Sequence, residues 1–264
     1  MKIGFIGSGV MGSALSSAVA RSEYGEILVS DAAPKKAEEL AQKIGAEAVS
    51  NEVIAEEADV IFLAVKPQYM TEMLSGIRKI LAERQDRFVI VSMAAGLTIA
   101  RIKELAGGAY PVIRIMPNTP ASIGEGVVIV SPDDRVSLEE IDQVMTMLSP
   151  AGRLIKLSEK QLDAGGSISG CGPAFVDLFV EALADGGVLC GVPRKEAIQL
   201  AAQMVLGSAA LILESGKHPG ELKDMVCSPG GTTIEGVRAL ENGGFRAAVM
   251  EAVIAAYEKN AKLG

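Results

Sequence analysis

A glycine-rich loop near the N-terminus limits the folds open to this chain more than any other feature. An apolar run at residues 2–7 leads into Gly-Ser-Gly-Val-Met-Gly at residues 7–12. Apolar residues with helical spacing follow from residue 12 to residue 20. In such a strand–loop–helix the first glycine permits the turn, the second admits a pyrophosphate to the backbone, and the third lets helix and strand pack closely. The loop therefore predicts dinucleotide contacts at Gly7, Ser8, Gly9, Val10, Met11 and Gly12.

Strands and helices alternate through the first half of the chain. Residues 26–30 read as a strand, and residues 34–44 as a helix that opens with proline. Further apolar runs with the composition of buried strands lie at residues 60–65, 88–92, 112–115 and 126–130. Buried strands separated by helices predict a doubly wound, mostly parallel sheet. We therefore expect an α/β Rossmann domain over residues 1–160.

The second half reads as helix only. The strand signal ends near Asp163, and helical segments follow at residues 173–189, 194–214, 220–226, 233–240 and 245–262. Residues 201–213 and 247–257 are apolar around most of the helix, so they require burial on all sides. A helical domain of about 100 residues offers few such positions alone. We predict an all-α dimerisation domain over residues 161–264, paired with a second copy in a homodimer.

Charge and cysteine content exclude several classes of protein. The net charge is −8 and the Lys and Arg residues are dispersed, whereas nucleic acids and anionic membranes attract clustered cations. Cys171, Cys190 and Cys227 lie far apart, unlike a disulfide framework or a zinc site. The apolar stretch 201–213 is shorter than the roughly 18 residues of a membrane span, and residues 1–2 leave no room for a signal peptide before the first strand. We expect a cytoplasmic protein that binds no nucleic acid, membrane or metal.

We expect the cofactor to be a nicotinamide dinucleotide, and the sequence leaves open whether it is NADH or NADPH. Asp31 ends the second predicted strand, where an acidic side chain hydrogen-bonds a ribose hydroxyl and disfavours a 2′-phosphate. This favours NADH. Lys35 and Lys36 follow closely and could instead bind the 2′-phosphate of NADPH.

Three more segments lie at the carboxyl ends of predicted strands. Open parallel sheets bind their ligands beyond these ends. The segments are residues 64–67, residues 93–96 and residues 116–120. The small residues Ala94, Ala95 and Gly96 would let the nicotinamide ribose approach the backbone. Asn118, held between two prolines, offers a fixed amide that could orient a ring or ribose.

Residues 227–235, Cys-Ser-Pro-Gly-Gly-Thr-Thr-Ile-Glu, combine an open loop with a helix start. Gly230 and Gly231 let backbone amides approach a ligand closely. Thr232 and Glu235 have the T-x-x-E spacing of a capping box. Because a helix start with open amides binds carboxylate or phosphate, we predict an anion site here, with Thr232 as the cap and the hydroxyl of Thr233 free.

Taken in order, the segments at residues 7–12, 65–67, 94–96, 116–120, 169–174 and 227–233 resemble pyrroline-5-carboxylate reductases. The likeness spans nearly the whole chain, and Ser-Pro-Gly-Gly-x-Thr at 228–233 is that family's signature. The resemblance implies reduction of L-1-pyrroline-5-carboxylate to L-proline, the last step of proline biosynthesis, with NADPH or NADH. It also implies a Rossmann domain, a helical dimerisation domain and often a ring of dimers.

The family's site residues carry over by position. The resemblance implies dinucleotide contacts at Ser8, Val10, Met11, Asn51, Val65, Lys66 and Ala95, with Pro67 in the same segment as Lys66. It implies substrate contacts at Glu159, Ser228, Thr232 and Thr233, beside the loop glycines Gly230 and Gly231. The chain departs from the family at Asp31, where neutral residues are often found, and at Cys171, where serine is common.

The implied chemistry fits the residue types present. A cyclic imine with a carboxylate needs an anion site, a hydrogen-bond partner at nitrogen and a hydride donor, but no nucleophile. We expect Thr233 to orient the iminium as the catalytic residue, and we expect His218, the only histidine, to serve a turn or helix entry. Two alternatives remain. A β-hydroxyacid dehydrogenase-like oxidoreductase would need lysine and asparagine where Val176 and Val180 stand, and a non-catalytic dinucleotide-binding protein would need no second anion site.

Overall fold

Two compact units make up the chain. The computed structural model describes residues 1–260 and Lys262. Its contacts divide it into Met1–Cys171 with Ala256–Gly264, and Gly172–Ala255. The boundary predicted at residue 160 falls inside α7 (Glu159–Ser169), which packs against the sheet of the first unit and is grouped with it. The chain passes between the units twice, because the last turn of the final helix is grouped with the first unit.

An eight-stranded sheet forms the centre of the first unit. Its strands are β1 (Lys2–Ile6), β2 (Glu26–Ser30), β3 (Glu47–Ala48), β4 (Val60–Leu63), β5 (Val89–Ser92), β6 (Val112–Met116), β7 (Gly126–Pro132) and β8 (Gly152–Lys156). They are ordered β3-β2-β1-β4-β5-β6-β7-β8, and every neighbouring pair is parallel except β6 and β7. The predicted doubly wound, mostly parallel sheet is confirmed.

Helices cover both faces of this sheet. Besides α7 they are α1 (Val10–Arg21), α2 (Pro34–Ile44), α3 (Asn51–Glu57), α4 (Pro67–Glu83), α5 (Ile99–Ala106) and α6 (Leu138–Leu148). Successive strand residues point to opposite faces, so the sheet feeds two apolar layers. Phe5 and Phe62 stack in one layer with ring centroids 4.3 Å apart, whereas Ile6 and Ile61 pack in the other. This double burial explains the continuous apolar runs of β1 and β4.

The second unit is helical, as predicted. It contains α8 (Gly172–Leu189), α9 (Arg194–Ser215), α10 (Pro219–Val226), α11 (Thr232–Asn242) and most of α12 (Phe245–Asn260). The last helix was predicted to reach residue 262, and residues 261, 263 and 264 lie outside the described residues. Of the described apolar residues in this unit, only Ala184, Ala197 and Ala201 are buried.

Two apolar stretches are long enough to cross a membrane by length and composition, namely Arg194–Ser215 and Glu159–Leu189. The sequence prediction considered only residues 201–213. It was too narrow, because residues 197–213 of α9 carry no charge and the small or uncharged residues among them do not interrupt an apolar helix. The second stretch is broken into α7 and α8 near Gly170. Most of each stretch is exposed in the single chain, so lipid or another protein surface must cover it.

Candidate functional site

The N-terminal glycines separate into two that serve the fold and one that faces open space. Gly7 has φ +110°, and a Cβ there would lie 2.7 Å from the carbonyl oxygen of Ala64. A Cβ at Gly12 would lie 2.1 Å from the carbonyl oxygen of Gly7. A Cβ at Gly9 would meet no atom within 4 Å, and Gly9 caps α1 without any side-chain hydrogen bond. The start of α1 therefore presents open amides, beginning at the 81% exposed Val10, to an anion.

Asp31 connects the glycine loop to the turn after β2. Its Oδ2 accepts the Ser8 N–H at 2.8 Å, and its Oδ1 accepts the Ala33 N–H at 2.9 Å. An ionised carboxylate has about four lone-pair sites, so each oxygen can still accept another donor. The side chain is thus oriented by the backbone and remains able to bind a hydroxyl.

Asp31 also lines a cavity of about 450 Å³ between α2, β3 and α3. The described lining residues include Glu38 and Glu52 but no lysine or arginine. A hydrogen bond with the Ser50 side chain lowers the pKa of Glu52, so this carboxylate is ionised at neutral pH. Asn51 lies in the same wall, where its Oδ1 accepts the Ser30 hydroxyl at 2.7 Å. The cavity is anionic and suits hydroxyl donors better than a phosphate.

The ends of three neighbouring strands meet beside the glycine loop. The Ala64 N–H donates to Ile6 O at 2.8 Å and the Met93 N–H donates to Leu63 O at 3.3 Å, which aligns the ends of β1, β4 and β5. The segment after β4 contains the half-buried Val65, the exposed cap residue Lys66 and Pro67 at the first position of α4. The segment after β5 contains Ala94, Ala95 and Gly96, and Gly96 turns the chain with φ +77°. The predicted cofactor segments are therefore brought together.

Two hydrogen bonds within the first unit hold the Asn118 side chain in place. Its Nδ2 donates to the Ser169 carbonyl at 2.9 Å, its Oδ1 accepts the Val127 N–H at 2.8 Å, and the residue is only 8% exposed. The amide therefore joins the ends of β6 and α7 to β7. Each end of the amide has one protein partner, so the side chain is fixed, and one N–H and one oxygen lone pair are left for another partner. The cofactor contact of Asn118 stays a prediction.

A buried ion-pair cluster, missed by the sequence reasoning, joins β6 to α7. Arg114 is 1% exposed; its Nη2 lies 2.6 Å from Asp163 Oδ1, and its Nη1 lies 3.4 Å from Glu159 Oε1. Glu159 Oε1 also accepts the N–H of Ile99, the first residue of α5, at 2.6 Å. The available signal was an arginine inside the apolar strand Val-Ile-Arg-Ile-Met, with two acids four residues apart on a later helix.

A second cavity of about 420 Å³ adjoins the loop after β5. The residues around it are Gly96, Leu97, Thr98, Arg101, Asp163, Tyr257 and Asn260. The predicted nicotinamide segment and the ion-pair cluster therefore share one cavity in the first unit, through Gly96 and Asp163 respectively.

In the second unit, the loop before α11 keeps its open amides but not the predicted cap. Gly231 is the N-cap, extended at φ −80° and ψ 171°, and Thr232 is already helical. Glu235 binds Arg238 at 2.9 Å instead of closing a capping box. Gly230 has φ +66°, a conformation that glycine adopts readily. The prediction that Thr232 caps this helix is wrong, because Gly231 turns the chain one residue earlier.

Both threonine hydroxyls are consequently free. Thr232 and Thr233 are exposed, and within residues 1–260 neither hydroxyl has a hydrogen-bond partner. Ser228 lies close to the turn, since its carbonyl accepts the Gly231 N–H at 3.0 Å and a Cβ at Gly231 would approach its Oγ to 2.3 Å. A helix start with unpaired amides and adjacent hydroxyls can bind a carboxylate and one more polar group.

The only histidine of the chain and one of its cysteines lie at the two ends of α10. His218 caps α10, where its Nδ1 accepts the Gly220 N–H at 3.0 Å, which confirms the predicted helix-entry role. Cys227 is half-buried at the end of the same helix. In the described part of the chain, no group of three His, Cys, Asp or Glu side chains is arranged to hold a metal ion.

Comparisons with known proteins cover the whole chain. Residues 159–263 match the family model of pyrroline-5-carboxylate reductase dimerisation, and residues 2–96 match that of NADP oxidoreductase, coenzyme F420-dependent. Pyrroline-5-carboxylate reductase of Escherichia coli (strain K12) is 44% identical over 99% of this chain and 98% of its own. The pyrroline-5-carboxylate reductase of Methanosarcina acetivorans is 40% identical over 100% of this chain and 98% of its own. The crystal structure of Plasmodium falciparum pyrroline carboxylate reductase with NADP bound superposes with a TM-score of 0.88, at 33% identity, covering 100% and 98% of the two chains.

Proposed function

The chain belongs to the pyrroline-5-carboxylate reductase family, and from that premise we propose which of its residues perform the reaction. The enzyme reduces L-1-pyrroline-5-carboxylate to L-proline with NADH or NADPH. Full-length similarity to named reductases carries this conclusion, and the second anion site supports it. Loss of nicotinamide absorbance on adding the imine, and none on adding hydroxy acids, is the direct test. Turnover of hydroxy acids alone would restore the β-hydroxyacid dehydrogenase alternative; binding without turnover would restore the non-catalytic one.

The first unit fits a dinucleotide. The open amides at Gly9 and Val10 would hold the pyrophosphate, and the segments containing Lys66 and Ala95 would hold the nicotinamide half. The bound dinucleotide supplies the hydride. The protein's own contribution here is to bind and orient it at the edge formed by β1, β4 and β5.

The contrast between Gly9 and Gly12 separates binding from folding. Gly9→Ala adds a methyl group into open space, so the free energy of unfolding should change by less than about 0.5 kcal/mol, while the Kd for dinucleotide rises at least roughly tenfold. Gly12→Ala drives a methyl group into the Gly7 carbonyl and should lower the free energy of unfolding by about 1–3 kcal/mol. Urea unfolding and calorimetric titration measure both quantities. Unchanged dinucleotide affinity in Gly9→Ala would argue against a phosphate contact at this loop.

We propose that the substrate binds in the loop before α11. The backbone amides of Thr232 and Thr233 would hold its carboxylate, and Ser228, Gly230 and Gly231 would shape the loop, because the Gly231 N–H already donates to Ser228 O. The imine is basic, so it can arrive protonated. The oxygen of the Thr233 hydroxyl would then orient the iminium by accepting a hydrogen bond from its N–H. Glu159, the remaining contact implied by the family, already has Oε1 bound to Ile99 and Arg114 and therefore has only Oε2 free for a substrate.

The chain is a homo-oligomer, and we propose that α8, α9 and α12 form the subunit contact. Large apolar side chains on these helices are exposed in the single chain, among them Leu178, Leu206, Leu211, Leu213 and Met250. The dimerisation model covers these helices, which favours a protein partner over a lipid bilayer as the covering surface. We further propose that dimers join into rings, and that the enzyme works in the cytoplasm without a metal. Native mass spectrometry and activity in EDTA test the ring and the metal, respectively.

Placing a charge on α9 should break the dimer. Leu206 is 56% exposed in the single chain, so Leu206→Asp would be harmless on a solvent-facing surface. At a buried contact it should raise the dimer dissociation constant at least about a hundredfold. Leu138→Asp is the matched control, because Leu138 is 76% exposed at the start of α6 in the first unit. Sedimentation of an unchanged dimer in Leu206→Asp would place the contact elsewhere.

A further inference from the structure

Arg114 is the largest fully buried side chain described, and it is charged. It lies on β6 among the apolar residues Val112, Ile113 and Ile115. Its guanidinium pairs with Asp163 and Glu159, yet its Nε has no hydrogen-bond partner among the described residues. Replacing a buried ion pair by apolar residues of similar volume is often neutral or stabilising. Stability alone therefore does not account for an arginine at this position.

The cluster reaches the loop after β5. The Glu159 Oε1 that faces Arg114 also accepts the Ile99 N–H at 2.6 Å. Ile99 directly follows Thr98, whose hydroxyl accepts the Arg101 N–H at 3.2 Å and caps α5. One carboxylate oxygen thus joins the buried arginine to the end of the segment that contains Ala94, Ala95 and Gly96.

The same face of β6 holds the rest of α7. Residues 114, 116 and 118 alternate along the chain and point to one side. Met116 lies against Gly166, where a Cβ would come within 3.0 Å of its Cγ, and the Asn118 amide donates to Ser169 O at 2.9 Å. These contacts fix the C-terminal half of α7 against β6, and the Arg114 ion pairs act on its N-terminal half, from which Glu159 reaches Ile99.

We propose that Arg114 is a positioning residue for hydride transfer. By orienting Glu159 on the Ile99 amide, it fixes the loop from Ala94 to Thr98 against which the nicotinamide ribose lies. This inference rests on the proposed function, which assigns the nicotinamide half of the dinucleotide to that loop. A displacement of about 1 Å in the reacting geometry can lower a rate about a hundredfold.

The decisive variant is Arg114→Met combined with Asp163→Asn. Removing Arg114 alone would leave two carboxylates without their cation, whereas the double variant removes one charge of each sign and keeps Glu159. We expect a thermal midpoint close to that of the wild type, a tenfold to hundredfold fall in kcat, and a KM for pyrroline carboxylate within about threefold. Binding of ADP, which lacks both the nicotinamide ring and its ribose, should change less than about twofold.

The matched control is Arg87→Met with Glu140→Gln. This arginine also pairs with a glutamate, at 2.7 and 2.9 Å, but it precedes β5 and lies away from the cofactor edge. The kcat of the Arg87→Met, Glu140→Gln variant should equal that of the wild type. A folded Arg114→Met, Asp163→Asn protein with wild-type kcat would overturn the inference, as would a kcat that falls only in step with the thermal midpoint and the affinity for ADP. A wild-type protein that does not reduce the imine would instead overturn the proposed function.

Discussion

Replacing Thr233 by alanine is expected to lower kcat by roughly ten- to a thousandfold while the protein folds normally. Thr233 is exposed in the first turn of α11, and its hydroxyl has no partner within residues 1–260, so its removal breaks no contact of the fold. Alanine is also the better helix former. The loss should therefore fall on the polar contact to the iminium in the transition state. Steady-state kinetics with saturating NADH, together with thermal unfolding, measure both effects.

Three companion variants sharpen this test. Thr233→Ser keeps the hydroxyl and should retain most of the activity. Thr232→Ala should cost less, although both hydroxyls are equally free of protein partners in the structure. Thr146→Ala removes another helix hydroxyl, one that donates to Asp142 O in α6, and should leave kcat unchanged. Wild-type turnover in Thr233→Ala would refute the catalytic role, and a larger loss in Thr232→Ala would move that role to its neighbour.

The enzyme is expected to prefer NADH over NADPH by roughly tenfold to a hundredfold in kcat/KM. Asp31, Glu38 and Glu52 line the cavity in which the ribose is predicted to bind, and no cation faces them among the described lining residues. A phosphate beside even one partly screened carboxylate is disfavoured by more than about 1.4 kcal/mol, which is a factor of ten. Lys35, the cation nearest in sequence, pairs with Glu39 at 3.9 Å and is 86% exposed.

Asp31→Asn tests the preference without changing the shape of the side chain. The ratio of kcat/KM for NADH to that for NADPH should fall by about tenfold or more, mainly because NADPH improves. Glu56→Gln removes an exposed carboxylate on α3 that does not line the cavity and should leave the ratio unchanged. A wild-type preference for NADPH would show that a cation elsewhere outweighs these carboxylates.

Much of the fold was predictable because burial on both faces leaves a clear apolar pattern. β2 and α2 begin and end at the predicted residues, and the glycine loop lies where its spacing placed it. β8 was missed because it is a mostly exposed edge strand with Arg153, Ile155 and Lys156 in solvent. The antiparallel β7 follows from the short connection after β6, since a parallel partner would need a crossover of a dozen residues or more.

The site was predictable only where local chemistry decides it. The T-x-x-E spacing indicated a helix start but not which residue caps it, since that depends on the backbone conformations of Gly230 and Gly231. Asn118 was well placed in sequence, but the sequence did not show that Ser169 and Val127 hold its amide. Arg114 depends on partners 45 and 49 residues away, a relation that no local pattern contains.

Because the chain passes between its two units twice, the units cannot be separated or exchanged by a single cut in the sequence. A truncation after Cys171 would remove Tyr257 and Asn260, and with them one wall of the cavity beside Gly96. An isolated nucleotide-binding half would therefore need the last turn of α12 grafted back to restore that wall. Exchanging the helical unit between relatives would likewise require two junctions, one near residue 171 and another near residue 255. The last turn of α12 is part of the Rossmann unit even though it follows the whole helical unit in the sequence.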